Sequence, residues 1–390
     1  LLAGVPTGLP RARLIELGRA ITALPEGFAP DPKVVRFLEE RRRSIETGEG
    51  LTWATGEALA LASLLGEGTS VRLGGQDTVR GAFTQRHLEV HDRETGARHL
   101  TLAPAARAFA TPEIHNTPLI EHAVLTFEYG LSLADPSRLI IWEAQFGEFL
   151  NYAQPIFDQC IACGDDRWLR SSGLVILLPH GIDGGGPDHS TGRPERLLAA
   201  CAGPNLQIVN ASTPANYFHA LRRQMHRPFR TPLVILTPKA LLRHKACVSR
   251  LDDLADGTGF RPVIDDADTG AAQRVILCTG KVYYELSAER AARGLQGRVA
   301  IVRVEQLHPL PAEEIRRALE RHAAREVVWC EEEPENMGYF THLDRRLETI
   351  AGRRVSRVGR PAAATPAVGV KHWHEAEVRR LLDEAFTGLA

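Results

Sequence analysis

The sequence predicts an α/β protein in which a doubly wound parallel sheet is followed by a smaller α/β domain. Short apolar runs of strand length alternate with helical stretches through most of the chain. These runs are continuously apolar, which is typical of parallel strands that are buried on both faces. A chain of 390 residues with 44% hydrophobic and 24% charged residues is also long enough for two domains of ordinary globular composition.

Residues 1–52 are predicted to form a helical lead-in, because apolar residues recur there at helical spacing among charged ones. A further helix is expected over residues 54–65, since Gly66 and Gly68 favour a helix end directly after it. A short strand at residues 71–73 then follows.

The predicted first domain, residues 53–250, contains the strands of the doubly wound sheet, at residues 139–142, 174–178, 208–209 and 233–236. In such sheets, ligands bind beyond the carboxyl ends of the strands. Polar residues occupy that position after two of the strands, at residues 143–147 and 179–181. A functional site is therefore expected at this edge of the sheet.

Residues 251–272 are rich in Asp, Gly and Pro and lack periodicity, so they are predicted to be an inter-domain linker. The predicted second domain, residues 273–390, is a smaller α/β unit. Its strands are expected at residues 275–278, 299–302, 327–329 and 355–358.

Composition excludes several classes of partner. The formal net charge of -1 provides no general attraction for nucleic acid or an anionic membrane. No apolar run is long enough to cross a bilayer, and the six Cys are scattered as in proteins of reducing compartments. Cys160 and Cys163 have metal-like spacing, but no second pair completes a zinc set, so no metal ligand is assigned.

Several collinear segments carry a family resemblance. They read GQD at residues 75–77, RGAFTQRH at 80–87, NTPLIE at 116–121, FEYG at 127–130, WEAQFGEF at 142–149, LLPHG at 177–181, GPDHS at 186–190, GKVYY at 280–284 and EEPEN at 332–336. Together they resemble the 2-oxoglutarate dehydrogenase E1 family over nearly the whole chain. Residues 221–225 and 358–361 are similar to the 2-oxoadipate branch of that family, the dehydrogenase E1 and transketolase domain-containing proteins.

The resemblance implies a transketolase-like pyrimidine-binding domain followed by the family's C-terminal domain. It implies thiamine diphosphate as cofactor and oxidative decarboxylation of 2-oxoglutarate or 2-oxoadipate, with acyl transfer to a lipoyl group of an E2 component. It also implies a homodimer working in the tricarboxylic acid cycle or in lysine degradation. The expected location is the bacterial cytoplasm, or the mitochondrial matrix in a eukaryote.

In this family an upstream domain holds Mg²⁺ and the cofactor diphosphate through a Gly-Asp-Gly motif, which these 390 residues lack. The chain, which begins with Leu1, is therefore expected to be a C-terminal portion that is incomplete alone. The alternative is a non-catalytic fragment, scaffold or regulatory subunit without the diphosphate-binding domain.

The resemblance also implies site residues, each with an alternative. Glu121 matches the catalytic carboxyl that hydrogen-bonds the cofactor pyrimidine, although it also suits a helix N-terminus. Phe146, Phe149 and Gln145 match cofactor-binding positions, and the two Phe equally suit core packing. His180 matches a catalytic histidine or caps a strand end. His87 is a weaker substrate candidate, and Ile120 departs from the Ser that the family usually has.

Two surfaces complete the expectations. An apolar, self-associating surface is expected from four aromatic residues of the first domain: Phe127, Tyr129, Phe157 and Trp168. For the second domain the resemblance implies a site for a regulatory nucleotide or acetyl-CoA, whose phosphate basic residues can meet. The candidates are Lys239, Arg243 and Arg303.

Overall fold

The computed structural model describes residues 1–107, 109–267 and 272–389. Its helices are α1 (Arg11–Ala20), α2 (Pro32–Thr47), α3 (Trp53–Glu67), α4 (Glu121–Ala134), α5 (Gln154–Ile156), α6 (Gly164–Trp168), α7 (Pro194–Ala199), α8 (Pro214–His226), α9 (Val282–Ala292), α10 (Ala312–His322), α11 (Phe340–Ala351) and α12 (Lys371–Phe386). Its strands are β1 (Val71–Gly75), β2 (Glu89–His91), β3 (Arg98–Leu100), β4 (Pro112–Asn116), β5 (Leu139–Glu143), β6 (Val175–Pro179), β7 (Gln207–Val209), β8 (Leu233–Thr237), β9 (Val263–Ile264), β10 (Arg274–Cys278), β11 (Val299–Val304), β12 (Gln306–His308), β13 (Glu326–Pro334) and β14 (Ser356–Arg360).

The larger sheet has seven strands in the order β12-β7-β8-β6-β5-β1-β4. Every pairing in it is parallel except that of β12 with β7. All the strands predicted for this sheet are present, and their ends lie within one or two residues of the predicted ones. The predicted α/β class with a parallel sheet is therefore confirmed.

Both faces of the larger sheet are covered, which explains its continuously apolar strands. On β5, Leu139 and Ile141 join a core cluster with α3 and α8. Ile140 and Trp142, which point the other way, join a second cluster. Because neighbouring residues of a strand face opposite sides, each strand residue needs an apolar side chain.

Helix α3 runs through the core beneath this sheet. All its residues from Trp53 to Gly66 are buried, so the helix is covered on every side. This explains why apolar and small residues occur on all its faces. The Thr52 side chain accepts a hydrogen bond from the Thr55 amide, and Gly68, in the left-handed conformation, ends the helix. The predicted helical lead-in is present as α1 and α2.

The smaller sheet has the order β14-β13-β10-β11-β9, in which only the β9–β11 pairing is antiparallel. It shares one continuous core with the larger sheet, to which both Ile176 of β6 and Trp329 of β13 belong. Strand β12 lies within residues 273–390 but pairs with the larger sheet. The predicted second domain therefore contributes a strand to the larger sheet. The predicted domain ranges stay a proposal.

The segment predicted as a linker is ordered where it is described. Leu251 and Leu254 are buried in a short 3₁₀ helix, Leu251–Leu254, and β9 extends the smaller sheet. Residues 268–271 of this segment lie outside the described residues. Among the described helices, none combines the length and apolar character that crossing a membrane requires.

Candidate active site

The carboxyl ends of five neighbouring strands meet at one edge of the larger sheet. Gly75, the last residue of β1, is in register with Asn116 of β4 and Glu143 of β5. In the same way, Pro179 of β6 pairs with Thr237 of β8. The chain segments that carry Glu121, Phe146 and His180 leave the sheet at this edge, which is the position that the sequence predicts for Phe146 and His180.

Glu121 is the first residue of α4 and is half-buried. Its side chain has no hydrogen-bond or ion-pair partner among the described residues. The apolar residues before it, Leu119 and Ile120, are 51% and 63% exposed, whereas Val124 and Leu125 are buried in the core. The carboxyl group is therefore free to bind a ligand, beside an apolar surface that faces outward.

An aromatic cluster, made of Phe83, Phe146, Phe149 and His189, lies directly beyond β5. The Phe146 ring contacts those of Phe83 and Phe149 edge to face, at centroid distances of 5.7 and 5.9 Å. The His189 ring stacks on Phe146 at 4.0 Å and is exposed. Phe146 precedes the 3₁₀ helix Gly147–Ala153 and is extended, so the predicted Phe pair meets without both residues being helical.

Gln145, next to this cluster, is half-buried and makes no side-chain hydrogen bond within the described part of the chain. Two residues further along, Gly147 lies where two chain segments approach each other closely. A Cβ at Gly147 would lie 2.6 Å from the Pro179 carbonyl oxygen and 2.9 Å from Gly192 Cα. Only glycine fits there, and this contact brings the segments after β5 and β6 together.

A buried network of ion pairs stabilises the chain segments that carry the aromatic cluster. Arg86 binds Glu57 through Nε at 2.5 Å and Glu143 through two nitrogens at 2.6 Å each. Tyr217 donates a hydrogen bond of 2.8 Å to Glu57. Burial would raise the pKa of the Glu57 carboxyl, but Arg86 outweighs burial and holds that pKa below its ordinary value. The Arg86–Glu57 pair stays ionised, and the bonds from Arg86 to Glu143 fix the start of the segment after β5.

His180 is buried and uses both ring nitrogens. Its Nδ1 accepts a 3.0 Å hydrogen bond from the Gly192 amide, so the proton resides on Nε2. Nε2 donates to Glu333 of β13 at 2.7 Å, and the Tyr339 hydroxyl lies 3.3 Å from it. His180 therefore connects the edge of the larger sheet to the smaller sheet and does not point into open space.

Among the described residues, one group of possible metal ligands has its ligand atoms within 4.8 Å of one another: His180, Glu332 and Glu333. Lys281 already supplies a cation there, since its Nζ lies 2.8 Å from Glu332. Burial opposes its charge, yet the surrounding carboxylates of Glu332 and Glu285 raise the pKa of Lys281. This ammonium offsets the negative charge of the group.

His87 lies apart from the aromatic cluster. Its ring contacts Phe37 of α2 at 4.8 Å, and burial lowers its pKa. The sequence interpretation assigned no role to His189, although this residue lies in the GPDHS segment at 186–190. The Ser190 hydroxyl of the same segment donates to the Gly186 carbonyl, which is a turn contact. The available signal was the position of His189 beyond a buried strand.

The expected self-association surface is only partly exposed. Phe127 and Trp168 are 56% and 46% exposed, whereas Tyr129 and Phe157 are buried and cannot contact another chain. Helical periodicity accounts for Tyr129, which lies on the inner side of α4. The exposed apolar surface instead continues from Phe127 to Leu119 and Ile120.

The three basic residues considered for phosphate binding lie in different places. Lys239 donates to the His189 carbonyl, and Arg243 donates to the Phe83 carbonyl at 3.1 Å. Both therefore brace segments of the aromatic cluster. Arg303 instead lines a separate cavity of about 480 Å³, with its guanidinium 4.0 Å from the Tyr283 ring centroid.

Comparison with known families agrees with this arrangement. The family model described as transketolase, pyrimidine binding domain, matches residues 49–245, and that described as 2-oxoglutarate dehydrogenase C-terminal matches residues 248–386. The chain is 47% identical to the 2-oxoglutarate dehydrogenase E1 component of Brucella anthropi. The matched region covers 97% of this chain and 40% of that relative. Identity to the Brucella ovis and Brucella canis E1 components is also 47%, with 39% of each relative covered. The chain thus spans about 40% of the length of these relatives.

Proposed function

Since the chain belongs to the 2-oxoglutarate dehydrogenase E1 family, we propose that it supplies the pyrimidine side of the active site of a thiamine diphosphate-dependent 2-oxo acid dehydrogenase. The enzyme decarboxylates 2-oxoglutarate, or 2-oxoadipate, and passes the acyl group to a lipoyl-bearing E2 component. One observation carries the proposal. A carboxyl group that has no polar partner among the described residues follows β4, and a half-buried aromatic cluster follows β5, at the same edge of the larger sheet.

The residues present fit the pyrimidine half of thiamine diphosphate. A flat, partly polar ring needs an aromatic surface and a carboxyl group, and both are available here. Phe146 and Phe149 would hold the ring, with Gln145 beside them, and Glu121 would bind its N1' nitrogen. When bound, the cofactor would supply a nucleophilic carbon for addition to the 2-oxo group of the substrate.

Glu121 holds the proton that it shares with N1'. Its neighbours Leu119 and Ile120 are exposed in the single chain. When a second subunit covers them, water is excluded and the carboxyl–nitrogen hydrogen bond becomes stronger. The Ile that stands where the family usually has Ser adds to this apolar surrounding.

The rest of the proposal concerns partners. We propose that Mg²⁺ and the cofactor diphosphate are bound outside these 390 residues, since no Gly-Asp-Gly motif with a following Asn occurs among them. The enzyme is a homodimer in the bacterial cytoplasm and has no nucleic-acid or membrane partner. His180 acts through the loop that it anchors, and His87 is the weakest substrate candidate because its ring packs on α2.

The proposal is tested with the complete dehydrogenase that contains this chain. Decarboxylation of 2-oxoglutarate, 2-oxoadipate and pyruvate is measured with ferricyanide as electron acceptor, and then with E2. Turnover of one dicarboxylic substrate well above pyruvate supports the function. Equal turnover of pyruvate contradicts the substrate class. Retained E2 binding without decarboxylation supports the alternative, a scaffold or regulatory subunit.

A further inference from the structure

One loop links the aromatic cluster with the smaller sheet. This loop, which we call the His180 loop, comprises residues 180–193 and follows β6. It carries His189, whose ring stacks on Phe146 at 4.0 Å. Five of its residues, Gly181, Gly184, Gly185, Gly186 and Gly192, are glycines, which restrict the backbone little. Without outside contacts, ordering this loop would therefore cost much conformational entropy.

Residues of the predicted second domain, 273–390, contact the loop at both of its ends. At the start, Glu333 accepts the Nε2 hydrogen bond of His180 at 2.7 Å. At the end, Arg193 contacts the Met337 sulfur through Nη1 at 3.1 Å. Arg193 also reaches Glu148, beside the aromatic cluster, at 3.1 Å. The loop is thus held between the second sheet and the candidate site.

The middle of the loop is held by charge and by contact. The Asp183 carboxylate lies 3.6 Å from Lys239 Nζ and 4.0 Å from Lys281 Nζ. Gly184, with φ of +75°, is packed so closely that a Cβ there would lie 3.0 Å from the His374 ring. Contacts with the second half of the chain are therefore distributed along the loop.

Glu333 controls a hydrogen bond that closes the loop on itself, next to the one of 2.8 Å that the Gly181 amide donates to the Ser190 carbonyl. Neutral imidazole has one proton, so a proton held on Nε2 by Glu333 leaves Nδ1 as an acceptor. Nδ1 accepts from the Gly192 amide at 3.0 Å, which joins the first residue of the loop to its last turn. If Nδ1 carried the proton instead, Gly192 would lose its acceptor within a buried region.

We propose that Glu333 is a positioning residue for the site. By fixing the tautomer of His180, it closes the His180 loop and places His189 against Phe146. The catalytic consequence rests on the function proposed above, whereas the structural consequence does not. The second half of the chain would then contribute to the site through Glu333 without touching a substrate.

Hydrogen exchange on this chain tests the structural part. In Glu333→Ala, amides of residues 181–193 should exchange at least about 10-fold faster, the loss expected from a buried amide without its acceptor. Glu333→Gln keeps an acceptor and should show a smaller increase. Glu335→Ala is the matched control, since Glu335 is exposed and lies two residues away. If Glu333→Ala does not fold, the test uses the isosteric Glu333→Gln variant and ¹⁵N spectra of the His180 ring. We then expect the population of the Nδ1–H tautomer to increase.

Unchanged loop exchange and an unchanged His180 tautomer in the folded variants would overturn the proposal. The same variants in the complete enzyme test the catalytic part, where kcat/KM for the 2-oxo acid should fall about 10-fold or more in Glu333→Ala, as expected for a misplaced active-site group. A mobile loop with normal kcat/KM would overturn the positioning role and leave the proposed function intact. A wild-type enzyme that decarboxylates no 2-oxo acid would overturn the function and leave the exchange result valid.

Discussion

Arg86 and Glu143 form a bidentate ion pair, with two N–O distances of 2.6 Å, at the carboxyl end of β5. Both side chains are almost completely buried. The pair ties the segment before the aromatic cluster to the loop that carries Phe83. It therefore links the stability of the fold to the geometry of the candidate site.

We expect Glu143→Gln to destabilise the chain by about 3 kcal/mol, because it leaves a buried guanidinium with one carboxylate instead of two. The loss should appear as a lower midpoint of urea unfolding with an unchanged slope. Asp252→Asn is the control, since its ion pair with Arg11 is exposed at 62% and 44%. That variant should change stability by less than about 1 kcal/mol. Equal effects of the two changes would contradict the role of the buried network.

Phe146→Ala should weaken cofactor binding in the complete enzyme, because it removes the ring around which the aromatic cluster is built. Loss of one aromatic contact of about 1–2 kcal/mol corresponds to an increase of about 10-fold in the Kd of thiamine diphosphate. Calorimetry with saturating Mg²⁺ measures it. Tyr152→Ala, an exposed aromatic residue whose ring centroid lies 6.2 Å from that of Phe149, should leave the Kd within about twofold.

The sequence predicted the strands of both sheets well where a continuous apolar run marks a buried strand. It missed β4, an edge strand in which only Ile114 is buried. Polar edge strands lack the apolar run on which the prediction depended. The pairing of β12 with β7 was also missed, since three residues carry no information about a distant partner. Site positions came from the family resemblance, whereas the His189–Phe146 stacking and the His180–Glu333 bond depend on tertiary structure.

Stability should fall in acid because of His219, which is buried and neutral. Its Nδ1 lies 2.7 Å from Thr7 Oγ1, and its Nε2 lies 2.8 Å from the Asp253 carbonyl oxygen. Burial lowers its pKa from 6.5 to about 4, so the unfolded state binds the proton more readily. The neutral His219 ring stabilises the folded state at pH values above 6.5, the pKa of this histidine in the unfolded chain. This stabilisation is lost as the pH falls through 6.5 towards 4.

Between pH 7 and pH 5 this single group should cost about 2 kcal/mol. Unfolding free energies of wild type and His219→Gln, measured across that range, isolate its contribution. The variant should be less stable at pH 7 but should lose less on acidification. Parallel pH profiles would show that His219 titrates alike in both states. His372→Gln is the control, because this histidine is exposed.

Phe127→Glu should weaken self-association of the chain. Phe127 is 56% exposed on α4 and extends the apolar surface of Leu119 and Ile120. A charge buried in such an interface costs several kcal/mol, so the dissociation constant of the dimer should rise by about 10-fold or more. Light scattering over a concentration series measures it. Trp373→Glu, at a similarly exposed aromatic residue of α12, should have no effect, and a wild-type chain that stays monomeric at high concentration would remove the basis of this prediction.

Glu121→Gln should lower turnover of the complete enzyme by about 10²–10⁴-fold, as is typical when a positioned acid–base group is removed. The amide preserves the shape of the side chain and can still form a hydrogen bond, but it cannot share an acidic proton with the cofactor nitrogen. Stability should hardly change, because Glu121 is half-buried and has no polar partner among the described residues. His122→Gln, at the exposed neighbouring position, is the control and should keep normal turnover. Turnover is measured at saturating cofactor, with occupancy checked separately, so that weak binding is not mistaken for slow chemistry. Near-normal turnover of a fully loaded Glu121→Gln enzyme would mean that another group holds the proton, and Ile120→Ser, which restores the usual neighbour, would then show whether this local departure has changed the role of Glu121.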